Sequence, residues 1–173
     1  MTDTDAVRRA LAATDGLDAR MGFELVEVSA ERAVGRTPVV GNTQPFGLWH
    51  GGASCVLAES LASLAAVVAA GEGGQAYGVD LNATHHAPAR SGWVTGVATA
   101  LRIGTTLGTW EVALTTDDGT RICTARVTCA LRRAKQLPRV GTQPPAAAGC
   151  GPRAGHSSDA RAFLAVGLPP DLR

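Results

Sequence analysis

A single carboxylate, Glu59, lies inside the run V-L-A-E-S-L-A-S-L-A-A at positions 56–66. Placing a charge among small and apolar neighbours is costly unless the charge has a partner or a task. A carboxylate in such a place serves as a general base or a nucleophile. Ser63, four residues on, shares its helical face and is placed to hold a water beside it. Just upstream stands His50-Gly51-Gly52. Paired glycines let backbone N–H groups come close to a ligand, and first-turn amides have no partner inside a helix. The helix dipole adds partial positive charge, so this start suits the oxyanion of a tetrahedral intermediate. Gln44 and Asn42, in the loop before it, offer side-chain amides to the same oxygen.

Spacing then sets a condition. Gly51 and Glu59 are eight residues apart, about 12 Å along a helix. They cannot both reach one carbonyl group in one chain. If both act, two copies lie helix to helix, antiparallel, and the site is shared across a two-fold interface.

Other chemistries fit less well. Cys55 falls in the first helical turn, where a thiolate is stabilised, with His50 nearby, but no third group is visible to orient the histidine. The chain has no G-x-S-x-G elbow, no phosphate-binding loop and no G-x-G-x-x-G. No C-x-x-C pair occurs among Cys55, Cys123, Cys129 and Cys150. Cys123 and Cys129, six apart on one strand, are too distant to bridge and read as buried thiols. His85 and His86 are adjacent on a strand and face opposite ways, which disfavours chelation of one metal. No metal and no cofactor is expected.

These residues need elements to hold them. Residues 52–70 give the strongest helical signal, closed by Gly71. Val56, Leu57, Leu61, Leu64 and Val68 form its bulky stripe. Cys55, Glu59, Ala62, Ser63 and Ala66 form an opposite, flat stripe expected to be buried against another surface. A short helical pattern at 4–14 precedes two strands, one around Phe23–Val28 and one around Ala33–Val39. Four strands follow the long helix, at about 75–86, 92–103, 107–116 and 120–131. Asp117-Asp118-Gly119 turns the last pair. The architecture is α+β: an antiparallel sheet with one helix on its face. Three regions follow: an N-terminal helical segment at 1–19, a domain at 20–133, and a Pro/Ala/Gly-rich tail at 134–173. The tail is expected to be flexible, with a short helix at 158–166.

Composition narrows the partners. The chain has 173 residues, a net charge of +1 and 18% charged residues. With no long basic run, nucleic acid and anionic membranes are not expected partners. Hydrophobic residues reach 45%, enough for a core, and the low charged fraction of 18% fits a surface covered in part by other subunits. The polar N-terminus is unlike a secretory signal, so a cytoplasmic location is expected.

The run Q-P-F-G-L-W-H-G-G-A-S-C-V-L-A-E-S-L-A-S at 44–63 closely resembles the hotdog-fold thioesterases of the phenylacetate-pathway type. The likeness continues through G-V-D-L-N-A-T-H-H-A-P at 78–88 and I-G-T-T-L-G-T-W-E-V at 103–112. It spans about 20–131 and is nearest to the 1,4-dihydroxy-2-naphthoyl-CoA hydrolases, the enterobactin proofreading thioesterases and one type of 4-hydroxybenzoyl-CoA thioesterase. The resemblance implies a curved antiparallel sheet wrapped around one central helix, and dimers that pair into homotetramers. It implies an acyl-CoA or aroyl-CoA thioester as substrate, 1,4-dihydroxy-2-naphthoyl-CoA of menaquinone synthesis among them, or an acyl group on a carrier protein. Within the same fold, a dehydratase using His50 with Glu59 and a non-catalytic acyl-CoA-binding protein are the alternatives. Glu59 becomes the nucleophile or general base and Gly51 the oxyanion amide. Gln44 and His50 polarise or orient the thioester, and Ser63 positions water. Gly78, His85, His86, Pro88, Arg102, Gly104, Thr105, Thr106 and Leu107 fall where the family binds its CoA-bearing substrate. Ala87 departs from the arginine that close relatives carry there, which points to altered nucleotide contacts or a different thiol carrier. The tail after 134 has no recognised counterpart.

Overall fold

The computed structural model describes residues 3–134. Alanine and leucine favour a helix, and α3 (Gly51–Ala70) runs unbroken for 20 residues. His50 caps its start by accepting the Gly52 N–H on its ring, and Gly71, at φ 81°, ends it. Around α3 lies a six-stranded antiparallel sheet of β1 (Glu24–Val28), β2 (Arg32–Pro38), β3 (Gln75–His85), β4 (Trp93–Ile103), β5 (Leu107–Thr116) and β6 (Arg121–Arg132). The spatial order is β1-β2-β4-β5-β6-β3. The helix touches all six strands, as a sheet curved around it requires. This is the α+β arrangement the sequence implies.

Curvature changes which helix residues are enclosed. Leu57 and Leu61 are buried as expected, but so are Ala58, Ala62, Ala65 and Ala66. Ala62 and Ala66 therefore belong to the sheet-facing side, not to the opposite stripe. The sheet also thins to meet the helix: a methyl on Gly96 would run into Leu61. The outward face includes Cys55, Val56, Glu59, Ser60, Ser63 and Leu64, all half-buried, and the exposed Val67. Glu59 is thus not enclosed within its own chain. By length and composition α3 also passes for a membrane span, but half of it is packed inside this sheet.

The two edges of the sheet are treated differently. Two short helices precede the strands, α1 (Asp3–Ala12) and α2 (Leu17–Arg20). From α1, Arg8 donates to the carbonyls of Leu25 and Val26, and Thr4 exchanges hydrogen bonds with the Val28 backbone. The β1 edge is thereby covered. The 11-residue β3 pairs with β6 alone. Among the described residues nothing covers its other side. The tail, the helix expected at 158–166 and Cys150 lie outside the described residues.

Candidate active site

The acid end of the site is built from α3, β3 and β6. Ser63 Oγ donates to Glu59 Oε1 at 3.2 Å, one helical turn away. The carboxylate lies flat against β3 at Gly78, where a Cβ would overlap Oε1 and sit 3.0 Å from Cδ. The β3–β6 register slips just after this point, between Gly78 and Asp80. Gly78 therefore does something the resemblance alone does not specify: its missing side chain makes the berth for the acid. Its partner Cys129 is fully buried, and burial pushes that thiol up to about 11. The nearby Glu59 charge adds to the rise and the Ser63 hydroxyl opposes it. At neutral pH Glu59 thus faces an uncharged neighbour.

A cleft of about 540 Å³ opens over Glu59. Val56 and Ser60 of α3 and Leu81 of β3 form one part of its wall, and Leu17 and Asp18 of α2 the other. Ser60 Oγ donates to Asp18 Oδ1 at 2.6 Å, tying the two together. These wall residues escaped the sequence reading. Asp18 and Ser60 are 42 positions apart, and no local pattern links them.

The amide end is built by the loop before α3. Trp49 is buried and its indole N–H donates to Ser54 Oγ at 2.7 Å, fastening the loop to the helix. Asn42 uses its side-chain amide on the carbonyls of Met21 and Pro38, so it does not donate to a substrate. Phe46 is 87% exposed. Of Phe46, Leu48 and Trp49 in this loop, only Leu48 both lines the cleft beside Gly51 and stands free of such a structural task. Gln44 accepts the Phe46 N–H on Oε1 at 2.6 Å, leaving its NH₂ as the available donor.

The helix start is nearly used up by its own cap. The Gly52 N–H goes to His50 Nδ1 at 2.8 Å, and those of Ala53 and Ser54 go to the His50 carbonyl. The Gly51 N–H is the one first-turn amide left without a partner among the described residues. It faces a second cleft, of about 440 Å³, shared with Gln44, His85, His86 and Pro88. The His85 ring packs so closely on Gly51 that a Cβ there would lie 2.9 Å from Nε2. His86 is held by Thr124 at 3.0 Å. Because His50 Nδ1 accepts, its proton sits on Nε2, which points a donor outward. Cys55 lies half-buried on the cleft that holds Glu59, and the acceptor nitrogen of His50 is committed to the cap. The two therefore do not form a nucleophile–base pair.

The residues expected to hold the CoA portion fall into two groups. His85 pairs with Cys123 near the start of β6, beside Gly51. Leu107 pairs with Ala130, next to the Cys129–Gly78 pair that lies under Glu59. Gly104, Thr105 and Thr106 form the β4–β5 turn there, closed by the Gly104 N–H on the Leu107 carbonyl. Seven residue steps along β6 separate the groups, about 23 Å. Arg102 is exposed on the same hairpin. One chain thus carries an acid end and an amide end, on the same helix but not in the same cleft.

Residues 46–123 match the family model described as the thioesterase superfamily. The proofreading thioesterase EntH of Klebsiella pneumoniae is 41% identical over 110 residues, 63% of this chain and 80% of that protein. VC_A0580 of Vibrio cholerae, described as a putative esterase, is 42% identical over 92 residues, 53% of this chain, and the match spans 61% of its length. Among solved structures, a variant of the thioesterase PA1618 of Pseudomonas aeruginosa superimposes with a TM-score of 0.71 at 34% identity, covering 76% of this chain and 95% of that one.

Proposed function

Since this chain belongs to the thioesterase superfamily, we propose that its substrate is an acyl-CoA or aroyl-CoA thioester, cleaved in a site that two copies complete. The observation that carries the reading is the separation of Glu59 from the Gly51 N–H on one helix, each opening into its own cleft. An antiparallel two-fold pairing of α3 brings the acid end of one copy to the amide end of the other. The open edge of β3 favours the same pairing, because α1 already covers the opposite edge. Pairs of dimers would give the tetramer.

In that arrangement the Gly51 N–H and the Gln44 NH₂ hold the thioester oxygen as it gains charge. Ser63 donates a hydrogen bond to Glu59 Oε1, so its own oxygen is free to accept from a water. That favours the general-base route. Water adds to the carbonyl carbon while its proton passes to Glu59 of the second copy. Collapse of the intermediate breaks the C–S bond, and the thiolate leaves with that proton. A dehydratase reading needs a histidine base, and the acceptor nitrogen of His50 is already bound to the helix.

Glu59→Gln keeps the shape and removes the base. Turnover of acyl-CoA, followed by free-thiol release, should fall roughly a thousandfold with the oligomer unchanged by light scattering. Near-normal turnover would sink the scheme. The same assay on acyl groups carried by acyl carrier protein separates the carrier-bound alternative by kcat/KM.

A further inference from the structure

The cleft over Glu59 has a wall that no catalytic step uses. Leu17 lines it, 58% exposed and outside the hydrophobic core. The residue next to it is anchored: Asp18 accepts from Ser60 on α3 and, through its backbone carbonyl, from the Phe23 N–H at 2.9 Å. The end of the same segment is held by Asn42 on the Met21 carbonyl. Leu17 thus sits on a fixed support and lines one cleft with Val56, Leu81 and Glu59.

We propose that the α2 segment is the acyl-selecting wall of this site, with Leu17 the specificity-determining residue and the Asp18–Ser60 hydrogen bond its positioning strap. This rests on the reading of Glu59 as the acid that serves the thioester. The group selected is neutral and apolar, a ring or a medium-length chain, since Leu17, Val56 and Leu81 offer only apolar surface. Two carboxylates in the cleft, Asp18 and Glu59, repel acyl groups that end in a carboxylate.

The test uses N-acetylcysteamine thioesters, which do not depend on the thiol carrier: acetyl, octanoyl, benzoyl and succinyl. The wild-type protein should prefer octanoyl or benzoyl over succinyl by tenfold or more in kcat/KM. Leu17→Trp fills the cleft and should lower the octanoyl-to-acetyl ratio at least tenfold. Ser60→Ala frees the strap and should lower that ratio several-fold, mainly through KM. Ser60→Thr, which keeps the hydroxyl, should restore it. Leu17 is largely exposed, so Leu17→Trp is expected to fold, and circular dichroism checks this. If the wild type is active and the ratios stay flat in both variants, the wall is wrong while the thioesterase site stands. If succinyl is the preferred substrate, the apolar assignment is wrong. If the wild type cleaves none of the four, the reading of the site fails and takes this inference with it.

Discussion

Gly78→Ala separates the placement of the acid from its chemistry. The substitution leaves Glu59, Ser63 and the Gly51 amide in the sequence and adds one methyl to β3. That methyl would occupy the space of Glu59 Oε1 and lie 3.0 Å from Cδ. The carboxylate is the free end of a flexible side chain, so it swings aside, by about 1 Å, at little cost to the fold. Misplacing a reacting group by that much costs on the order of a hundredfold in rate, about 2.7 kcal/mol of transition-state stabilisation. The swing also strains the 3.2 Å bond from Ser63. The expected outcome is a drop of about a hundredfold in kcat/KM with a melting temperature shifted by no more than about 3 °C. Gly78→Ser should be at least as poor. Steady-state kinetics and a thermal melt on the same preparations decide it. A Gly78→Ala protein that melts normally and turns over within threefold of wild type would show that the position of Glu59 against β3 is not the working one. An unfolded variant would refute the claim that the methyl is absorbed by the side chain alone.

Two further outcomes follow from the same geometry. Cys129 has its pKa raised from 9.0 to about 11, so the folded state holds that proton more tightly than the unfolded chain. The resulting stability is fully present below pH 9 and is lost as pH rises through about 11, roughly 2–3 kcal/mol. Urea unfolding should therefore weaken steeply over that window, and Cys129→Ala should flatten the slope; an unchanged slope would clear the thiol of any part in it. The shared site predicts complementation between two dead variants. Glu59→Gln and Gln44→Ala chains, mixed after dissociation, should recover about a quarter of wild-type sites, because half the dimers are mixed and each holds one intact site. A mixture as inactive as its parents would place the whole site in one chain.

Much of this arrangement can be read from residue order, and the parts that cannot have physical causes. Alternation in β5 marks Trp110, Val112 and Leu114 as inward, and all three are fully buried. Gly71 marks the helix end because only a residue tolerant of positive φ fits there. The inward face of α3 is less legible. Small residues carry no clear period, and a curved sheet encloses Ala62 and Ala66 as readily as Leu57 and Leu61. Asn42 and Gln44 look alike in sequence, both amides in one loop. Which one is spent on the fold depends on the carbonyls of Met21 and Pro38, distant in the chain or unmarked by type. The α2 wall is least legible of all, since four helical residues leave no pattern and the Asp18–Ser60 bond crosses 42 positions.

The division of the site into two ends accounts for features that otherwise have separate explanations. The rise of α3 keeps Glu59 and the Gly51 amide about 12 Å apart. The length of β6 keeps the His85–Pro88 corner and the Gly104–Leu107 hairpin about 23 Å apart. Both separations run the same way: the hairpin lies at the acid end and the histidine corner at the amide end. In the proposed two-copy site, a two-fold axis across α3 would close both gaps with one operation. It would join acid to amide for the thioester, and hairpin to corner for whatever bears the thiol. A chain that held all four groups in one cleft would need a shorter helix or a bend in it, and α3 is continuous from Gly51 to Ala70. The same helix that gives the sheet its core thus sets the distance that a second copy would span in the proposed site.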